Sequence, residues 1–158
     1  MLRDVTELFS APETAPAIDR RLTRRVVDVW ARAARGHFPS WTAMQDAGLG
    51  EDEDWMFVVD CEKSIGFPYF VHVGKRLGKL ADIFLCGADE FGLSLLDKAT
   101  ADIASAQERE APHFREETIS LCDGRRVLMR SVTAPLAEDG YKVTHVVGAV
   151  NGKLAQPD

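Results

Sequence analysis

The histidines are the first candidates for functional residues in this chain, because imidazole binds metals and transfers protons near neutral pH. The chain has four histidines, and they are too scattered for the spacing of a zinc site. His72 and His145 fall on predicted strands, where either ring could bind a haem iron or a ligand carboxylate. A strand histidine is more often a core or surface residue with a hydrogen-bonded ring. The sequence therefore requires no cofactor, and we do not expect haem.

Carboxylates that could do general acid–base work lie at strand ends or on strand faces: Asp60, Glu62, Glu116 and Glu117. A pocket carboxylate working with His72 or His145 would suit a small α+β enzyme of the isomerase or dehydratase type. However, no pair is singled out with a matching base, no serine lies in a Gly-x-Ser-x-Gly motif, and no glycine-rich phosphate loop follows a strand. The sequence therefore predicts a protein without catalysis of its own, and the small enzyme is the alternative.

The size and charge of the chain restrict its class. A chain of 158 residues with 46% hydrophobic residues fits one domain with a real hydrophobic core. The net charge of −6 argues against a nucleic-acid partner, which would require a basic face. No apolar run is long enough to span a bilayer, and the N-terminus carries Asp4 and Glu7 and has no apolar core like that of a signal peptide. We therefore expect a cytoplasmic protein without a membrane span.

The cysteines Cys61, Cys86 and Cys122 are odd in number and have no paired close spacing. In a reducing compartment, such cysteines are more often buried small hydrophobic residues than redox or metal-binding groups. We expect all three to be buried thiols.

Apolar periodicity and turn residues divide the chain into helices and strands. The first helix is predicted over residues 18–35, and a short helix capped by Ser40 ends near Gly48, before an acidic surface loop. Two strands over 55–62 and 66–74 follow, and then short helices within 74–91 and one longer helix over 93–109. Three strands over 113–121, 125–136 and 141–151 come last. The predicted organisation is a flexible lead-in over 1–17, one domain over 18–152 and a tail over 153–158.

The stretch PLAEDGYKVTHVVGAV carries its own turn and strand signals. Pro135 is expected to end a strand because it cannot donate a ladder hydrogen bond. Asp139 and Gly140 are expected to form a tight hairpin turn before a final strand over 141–150. Valines occur at both parities of this strand, as they can in a strand that is covered on both faces.

Four segments in order resemble a bacterial PAS-like family: VVDVWARAARGHFPSW, FVVDCE, YFVHVGKRL and GRRVLMRSVTAPLAEDGYKVTHVVGAV. The resemblance covers roughly residues 20–151. It implies an α+β fold with a PAS-like five-stranded antiparallel sheet, helices on one face and an extra N-terminal helix. In that order of strands, the last strand is a central one. It also implies a sensory or protein-interaction module. Flavin-binding relatives carry an Asn-Cys-Arg motif that no cysteine here has, so we do not expect flavin.

The side chains predicted to line the concavity between sheet and helices are Phe57, Phe70, His72, Phe84, Leu93, Leu96, Met129 and His145. If this concavity is filled, the apolar residues are simply the core. If it is open, it forms a small pocket for an apolar ligand. The sequence leaves both possibilities open, because both use the same residue types.

The apolar stripe of the first helix is predicted as a dimer interface: Leu22, Val26, Val29 and Trp30. A helix outside the sheet core must bury this stripe somewhere, and Trp and Arg are enriched at interfaces. The alternative is that Trp30 and Trp41 cover edges of the core. We therefore expect a homodimer through this helix, with a signalling protein as a further partner. Val26→Glu is then expected to convert the dimer to a monomer.

Overall fold

The computed structural model describes residues 16–87, 92–101 and 103–155. Its α-helices are α1 (Pro16–Ala34), α2 (Trp41–Asp46), α3 (Leu95–Ala99) and α4 (Ile103–Glu108). Its 3-10 helices are Gly50–Trp55, which replaces the loop predicted for the acidic run, and Leu77–Asp82. Its strands are β1 (Met56–Asp60), β2 (Phe70–Val73), β3 (His113–Ser120), β4 (Arg126–Leu136) and β5 (His145–Leu154). The predicted lead-in and tail lie largely outside the described residues. Among the described residues, no helix combines the length and apolar character needed to cross a bilayer.

The strands form one five-stranded antiparallel sheet in the order β2-β1-β5-β4-β3. The last strand, β5, is central and pairs with β1 on one side and β4 on the other. Every residue of β5 from Val146 to Gly152 is buried, because elements cover both faces of the sheet. The α+β class, the antiparallel sheet and the central position of the last strand are therefore confirmed.

Helix α1 covers one face of the sheet, which we call the α1 face. Leu22, Val26 and Val29 are buried there in an apolar cluster that includes Val58 of β1 and Val132 of β4. Their spacing of three and four residues places them in one stripe along the helix. Burial of an aliphatic side chain contributes about 1.5–3 kcal/mol, so this stripe fastens α1 to the sheet.

The second 3-10 helix, α3 and α4 are the short helices that cover the opposite face, which we call the concave face. Phe57 and Val127 of the sheet pack there with Leu80 of the second 3-10 helix and Leu95 of α3 in a second apolar cluster. All four residues are at most 1% exposed. The sheet therefore separates two cores, one for each layer of helices.

The predicted helix over 93–109 is wrong, because α3 and α4 are separate helices. A capping box starts α3: Ser94 Oγ accepts from Asp97 N at 3.1 Å, and the Asp97 carboxylate accepts from Ser94 N at 2.8 Å. Helix α3 ends at Thr100, whose φ of −108° and ψ of 16° lie outside the helical region. The Thr100 hydroxyl donates to the carbonyl oxygen of Leu96 at 2.9 Å. This local bonding interrupts the helix where apolar spacing alone predicts that it continues.

The connection between β4 and β5 is a long loop and not the predicted tight turn. Strand β4 runs one residue past Pro135, and β5 begins at His145, not at Tyr141, and extends to Leu154. The β3 ladder stops two residues before Pro135, so the missing proline N–H breaks no strand pairing. The carbonyl oxygen of Pro135 accepts instead from Trp30 Nε1 at 2.8 Å. The Trp30 indole thus gives this carbonyl oxygen the hydrogen bond that a neighbouring strand would otherwise supply.

The prediction of three buried thiols is wrong for two of the cysteines. Cys86 and Cys122, 36 residues apart, form a disulfide with their Cα atoms 5.2 Å apart, and both residues are exposed. Cys86 follows the second 3-10 helix, whereas Cys122 lies in the turn between β3 and β4. Tertiary packing brings them together, which sequence spacing does not reveal. Cys61 is a half-buried free thiol.

Candidate functional site

The residues predicted to line one pocket lie in three different places. Four of them pack in the concave-face cluster: Phe57, Phe70, Leu96 and Met129. Two others are exposed on the surface, Phe84 by 51% and Leu93 by 38%. The histidines His72 and His145 lie on the α1 face, on the other side of the sheet. The structure therefore brings together only the first four.

A β-bulge places His72 on the α1 face. Strands β1 and β2 pair with Val71 as an extra residue between Phe70 and His72. Phe70 therefore points to the concave face, whereas the His72 ring centroid lies 5.1 Å from that of Trp41. The His72 Nε2 atom donates to the carbonyl oxygen of Glu53 at 3.1 Å. These contacts hold the His72 imidazole against other parts of the same chain.

His145 and Asp60 form the carboxylate–histidine pair that the alternative enzyme would use. The His145 Nε2 atom lies 3.6 Å from Asp60 Oδ2, and its Nδ1 atom is hydrogen-bonded to Thr144 Oγ1 at 2.7 Å. Asp60 Oδ1 also accepts from the backbone N–H of Glu62 and of Lys63. Each side chain of the pair is 15% exposed. The pair can orient an imidazole, but it lines neither of the two cavities described next.

Where the structure describes its lining, the concavity between the sheet and the short helices of the concave face is nearly filled. The space left there has a volume of about 10 Å³. It is lined partly by charged side chains: Glu117 contacts Arg115 at 2.7 Å and Lys98 at 3.5 Å. A space of this size holds about one water molecule. In this structure the apolar residues of the concavity therefore act as core.

The residues predicted to form a dimer interface already pack within their own chain. Leu22, Val26 and Val29 are at most 5% exposed, because they face the sheet. Trp30 is half-buried and its indole N–H is bonded to Pro135. The outward face of α1 carries charged side chains instead, and Arg25 of that face forms an ion pair with Asp52 at 2.8 Å. This apolar stripe is therefore not available to a second copy of the chain.

A larger cavity, which we call the aromatic groove, lies where α1 ends against the β4–β5 loop. Its volume is about 380 Å³. This volume lies within the range of roughly 300–1,000 Å³ in which small-molecule sites fall. The groove is lined by Trp30, Ala34, Gly36, His37, Phe38, Gly140 and Tyr141.

The end of α1 forms one wall of the aromatic groove. The backbone reverses at Arg35 and Gly36, whose φ angles of 43° and 86° lie in the left-handed region. This reversal brings Phe38 beside the β4–β5 loop, where its N–H donates to the carbonyl oxygen of Gly140 at 2.9 Å. The two segments are thus joined by their backbones.

The β4–β5 loop forms the other wall. Gly140 has a φ of 87°, a conformation that favours glycine, and its lack of a Cβ atom leaves room for the His37 ring. Asp139 Oδ1 accepts from the backbone N–H of Lys142 and of Tyr141, each at 2.9 Å. These two bonds favour the ionised carboxylate and lower the pKa of Asp139. The loop that presents Tyr141 is therefore held by its own hydrogen bonds.

The chemistry of the aromatic groove is that of ring faces. The His37 and Tyr141 ring centroids are 5.9 Å apart at an interplanar angle of 32°, and Tyr141 is 80% exposed. Trp30 contributes its ring but not its N–H, which is bonded to Pro135. Among the residues that the structure describes, no lysine, arginine or carboxylate side chain lines the groove. This arrangement suits apolar contact and stacking with a flat ring.

The aromatic groove was not predicted from the sequence. The sequence predicts that His37 is an exposed residue before a loop, and that Asp139 and Gly140 form a hairpin turn. A weak signal exists, because aromatic residues directly follow a turn glycine in both segments, Gly36-His37-Phe38 and Gly140-Tyr141. Nothing in the sequence indicates that the two segments meet.

No protein-family model and no curated protein matches the chain. Among solved structures, the chain is similar to the PAS domain of BvgS from Bordetella pertussis, with 14% identity over 60% of this chain and 70% of that one and a TM-score of 0.37. The chain is also similar to a PAS domain from Colwellia psychrerythraea, with 14% identity over 68% of this chain and 94% of that one and a TM-score of 0.37. Its similarity to a LOV protein from Rhodobacter sphaeroides is 11% identity over 61% of this chain and 58% of that one, with a TM-score of 0.38. With TM-scores below 0.5, these similarities do not establish a family, and the fold rests on the strand order of this chain itself.

Proposed function

We propose that this chain is a sensory PAS-like module of a bacterial cytoplasm, without catalysis of its own. It binds a small, largely apolar ligand, and a signalling protein reads the result. The order of elements and the central last strand agree with the PAS-like family that the sequence resembles. Since fold does not determine function, the observation that carries the proposal is the aromatic groove.

The aromatic groove suits ligand binding better than the concavity does. Its volume is about 380 Å³, compared with about 10 Å³ between the sheet and the short helices. Its walls are held before any ligand arrives, by the bond between Phe38 and Gly140 and by the bonds to Asp139. A preformed site avoids the ordering cost that a flexible site would add to binding.

Trp30 connects the aromatic groove to the sheet. Its ring lines the groove, while its N–H bonds to the carbonyl oxygen of Pro135 in β4. A ligand that displaces this ring alters the contact between α1 and β4. Binding that favours one position of α1 shifts the population toward that position, which is the signal a partner protein would read.

Fragment binding tests the proposal. We expect small aromatic compounds to shift the amide resonances of residues 34–38 and 140–142 in ¹H–¹⁵N spectra. Tyr141→Ala removes a side chain that is 80% exposed, so it leaves the fold intact and weakens binding about fivefold, equivalent to about 1 kcal/mol of stacking. Phe67→Ala is the matched control, because Phe67 is 83% exposed but does not line the groove.

Three results bear on the proposal differently. Shifts confined to the groove and lost in Tyr141→Ala support it. Shifts at Ile119, Met129 and Val150 would place the ligand in the concavity and refute the groove while keeping the sensor. Equal loss of binding in Tyr141→Ala and Phe67→Ala would show non-specific contact with exposed rings.

A further inference from the structure

The disulfide between Cys86 and Cys122 joins two parts of the fold that are distant in sequence. Cys86 lies in the segment between the second 3-10 helix and α3, and Cys122 lies in the turn between β3 and β4. Both residues are exposed, so a reductant can reach the sulfur atoms. A disulfide in an oxidising compartment is usually a permanent staple, whereas one in the cytosol is usually redox-sensing or catalytic.

We propose that Cys86–Cys122 is a redox-reactive site, reduced by a dithiol, that fastens the segment carrying Cys86 to the sheet. The place of this switch in the cell rests on the cytoplasmic sensory role proposed above. The redox chemistry of the disulfide does not depend on that role, because the disulfide and the aromatic groove share no residue.

The disulfide closes one end of the concave face. Leu85, next to Cys86, is 2% exposed, and Leu121, next to Cys122, is 9% exposed; both belong to the concave-face cluster. Within the described residues, backbone hydrogen bonds join this segment to itself, as in Leu85 N to Leu93 O at 2.9 Å. Side-chain packing and an ion pair of Lys98 with Glu117 of β3 at 3.5 Å also join its α3 end to the sheet, and the disulfide adds a covalent link at Cys86.

The reaction balances as an ordinary thiol–disulfide exchange. One thiolate of the dithiol attacks a sulfur of the Cys86–Cys122 bond and forms a mixed disulfide, and its second thiol then displaces the protein. The cystine gains two electrons and two protons and becomes two thiols, while the dithiol is oxidised to a disulfide. Cys61 does not compete, because it is half-buried and burial raises its pKa to about 11.

Reduction is expected to loosen the segment on both sides of the cysteine. A cross-link stabilises mainly by restricting the chain when it opens, so its loss favours local opening. Residues 83–87 and 92–99 would then leave the sheet more often, which exposes the concave-face cluster. The device thus couples a redox change to access to the concavity.

Counting of thiols is the first experiment, on the folded full chain purified without reductant. Iodoacetamide and intact-mass measurement are expected to find at most one reactive thiol before dithiothreitol and two more afterwards. Oxidised glutathione is expected to restore the first state. Cys61→Ser is the control variant, for which we expect no reactive thiol before dithiothreitol and two afterwards. Three reactive thiols in the untreated folded protein, or a disulfide that is reduced only after denaturation, would overturn the proposal.

Hydrogen exchange tests the consequence. We expect dithiothreitol to accelerate amide exchange at residues 83–87 and 92–99 by more than roughly tenfold, with α1 unchanged. A Cys86→Ser/Cys122→Ser variant is expected to show the same exchange without reductant. If exchange there is unchanged in the reduced wild type, the disulfide does not hold the segment and the proposal fails, even if the variant does not fold.

Discussion

Replacement of Val26 by glutamate distinguishes a helix that packs on its own sheet from a helix that forms a dimer interface. Val26 is 1% exposed and lies in the cluster between α1 and the sheet. The change loses about 2 kcal/mol of apolar burial. It also buries a carboxyl group, which costs about 1–3 kcal/mol more when no partner is present. The expected loss of about 3–5 kcal/mol is a large part of the 5–15 kcal/mol that is typical for the free energy of unfolding of a domain.

The assay is urea unfolding followed by far-UV circular dichroism, with light scattering to report the mass of the native species. Ala31→Glu is the matched control, because Ala31 is exposed on the opposite face of α1 and should change stability by no more than about 0.5 kcal/mol. We expect Val26→Glu to lower the urea midpoint strongly without a specific change from dimer to monomer. A Val26→Glu protein that is as stable as wild type, but monomeric where wild type is dimeric, would refute the packing described above.

Three smaller perturbations have equally definite outcomes. Trp30→Phe loses the bond to Pro135, so we expect about 1 kcal/mol lower stability and faster amide exchange at the end of α1, and unchanged exchange would contradict this. Gly148→Ala forces a Cβ into the ring of Phe57, so urea unfolding should show a loss of about 1–3 kcal/mol, whereas wild-type stability would show that the ring moves freely. Alkylation of Cys61 should rise with pH toward a midpoint at about 11, because its thiolate forms only there; a midpoint at the value of a free thiol would show that the residue is not buried.

The helix α1 and the strand β5 could be predicted because their signals are periodic and local. Leu22, Val26 and Val29 repeat at helical spacing, and the valines of β5 occupy both parities of a strand. The face of α1 was also predicted correctly as apolar, but the sequence does not say whether a second copy or the sheet covers it. The structure shows the sheet.

The pocket residues could be predicted only in part, because a face assignment depends on register. A single extra residue, Val71, turns His72 away from the side of Phe70. The aromatic groove and the disulfide depend on contacts between segments far apart in sequence: Phe38 with Gly140, and Cys86 with Cys122. No local pattern encodes such contacts.

The concavity and the aromatic groove differ in what a ligand must displace. Opening a ligand-sized space of about 300 Å³ in the concave-face cluster would cost about 7 kcal/mol, at about 24 cal/mol per Å³ of cavity. That cost is comparable to the whole stability of a domain, so a ligand there needs a helical layer that has already loosened. Entry into the aromatic groove has no such cost, because its space is present. If reduction of Cys86–Cys122 releases the segment beside Leu85 and Leu121, it lowers the cost of opening the concavity and leaves the groove unchanged. A ligand that binds the reduced protein more tightly than the oxidised protein would therefore occupy the concavity, whereas a ligand indifferent to reduction would occupy the groove.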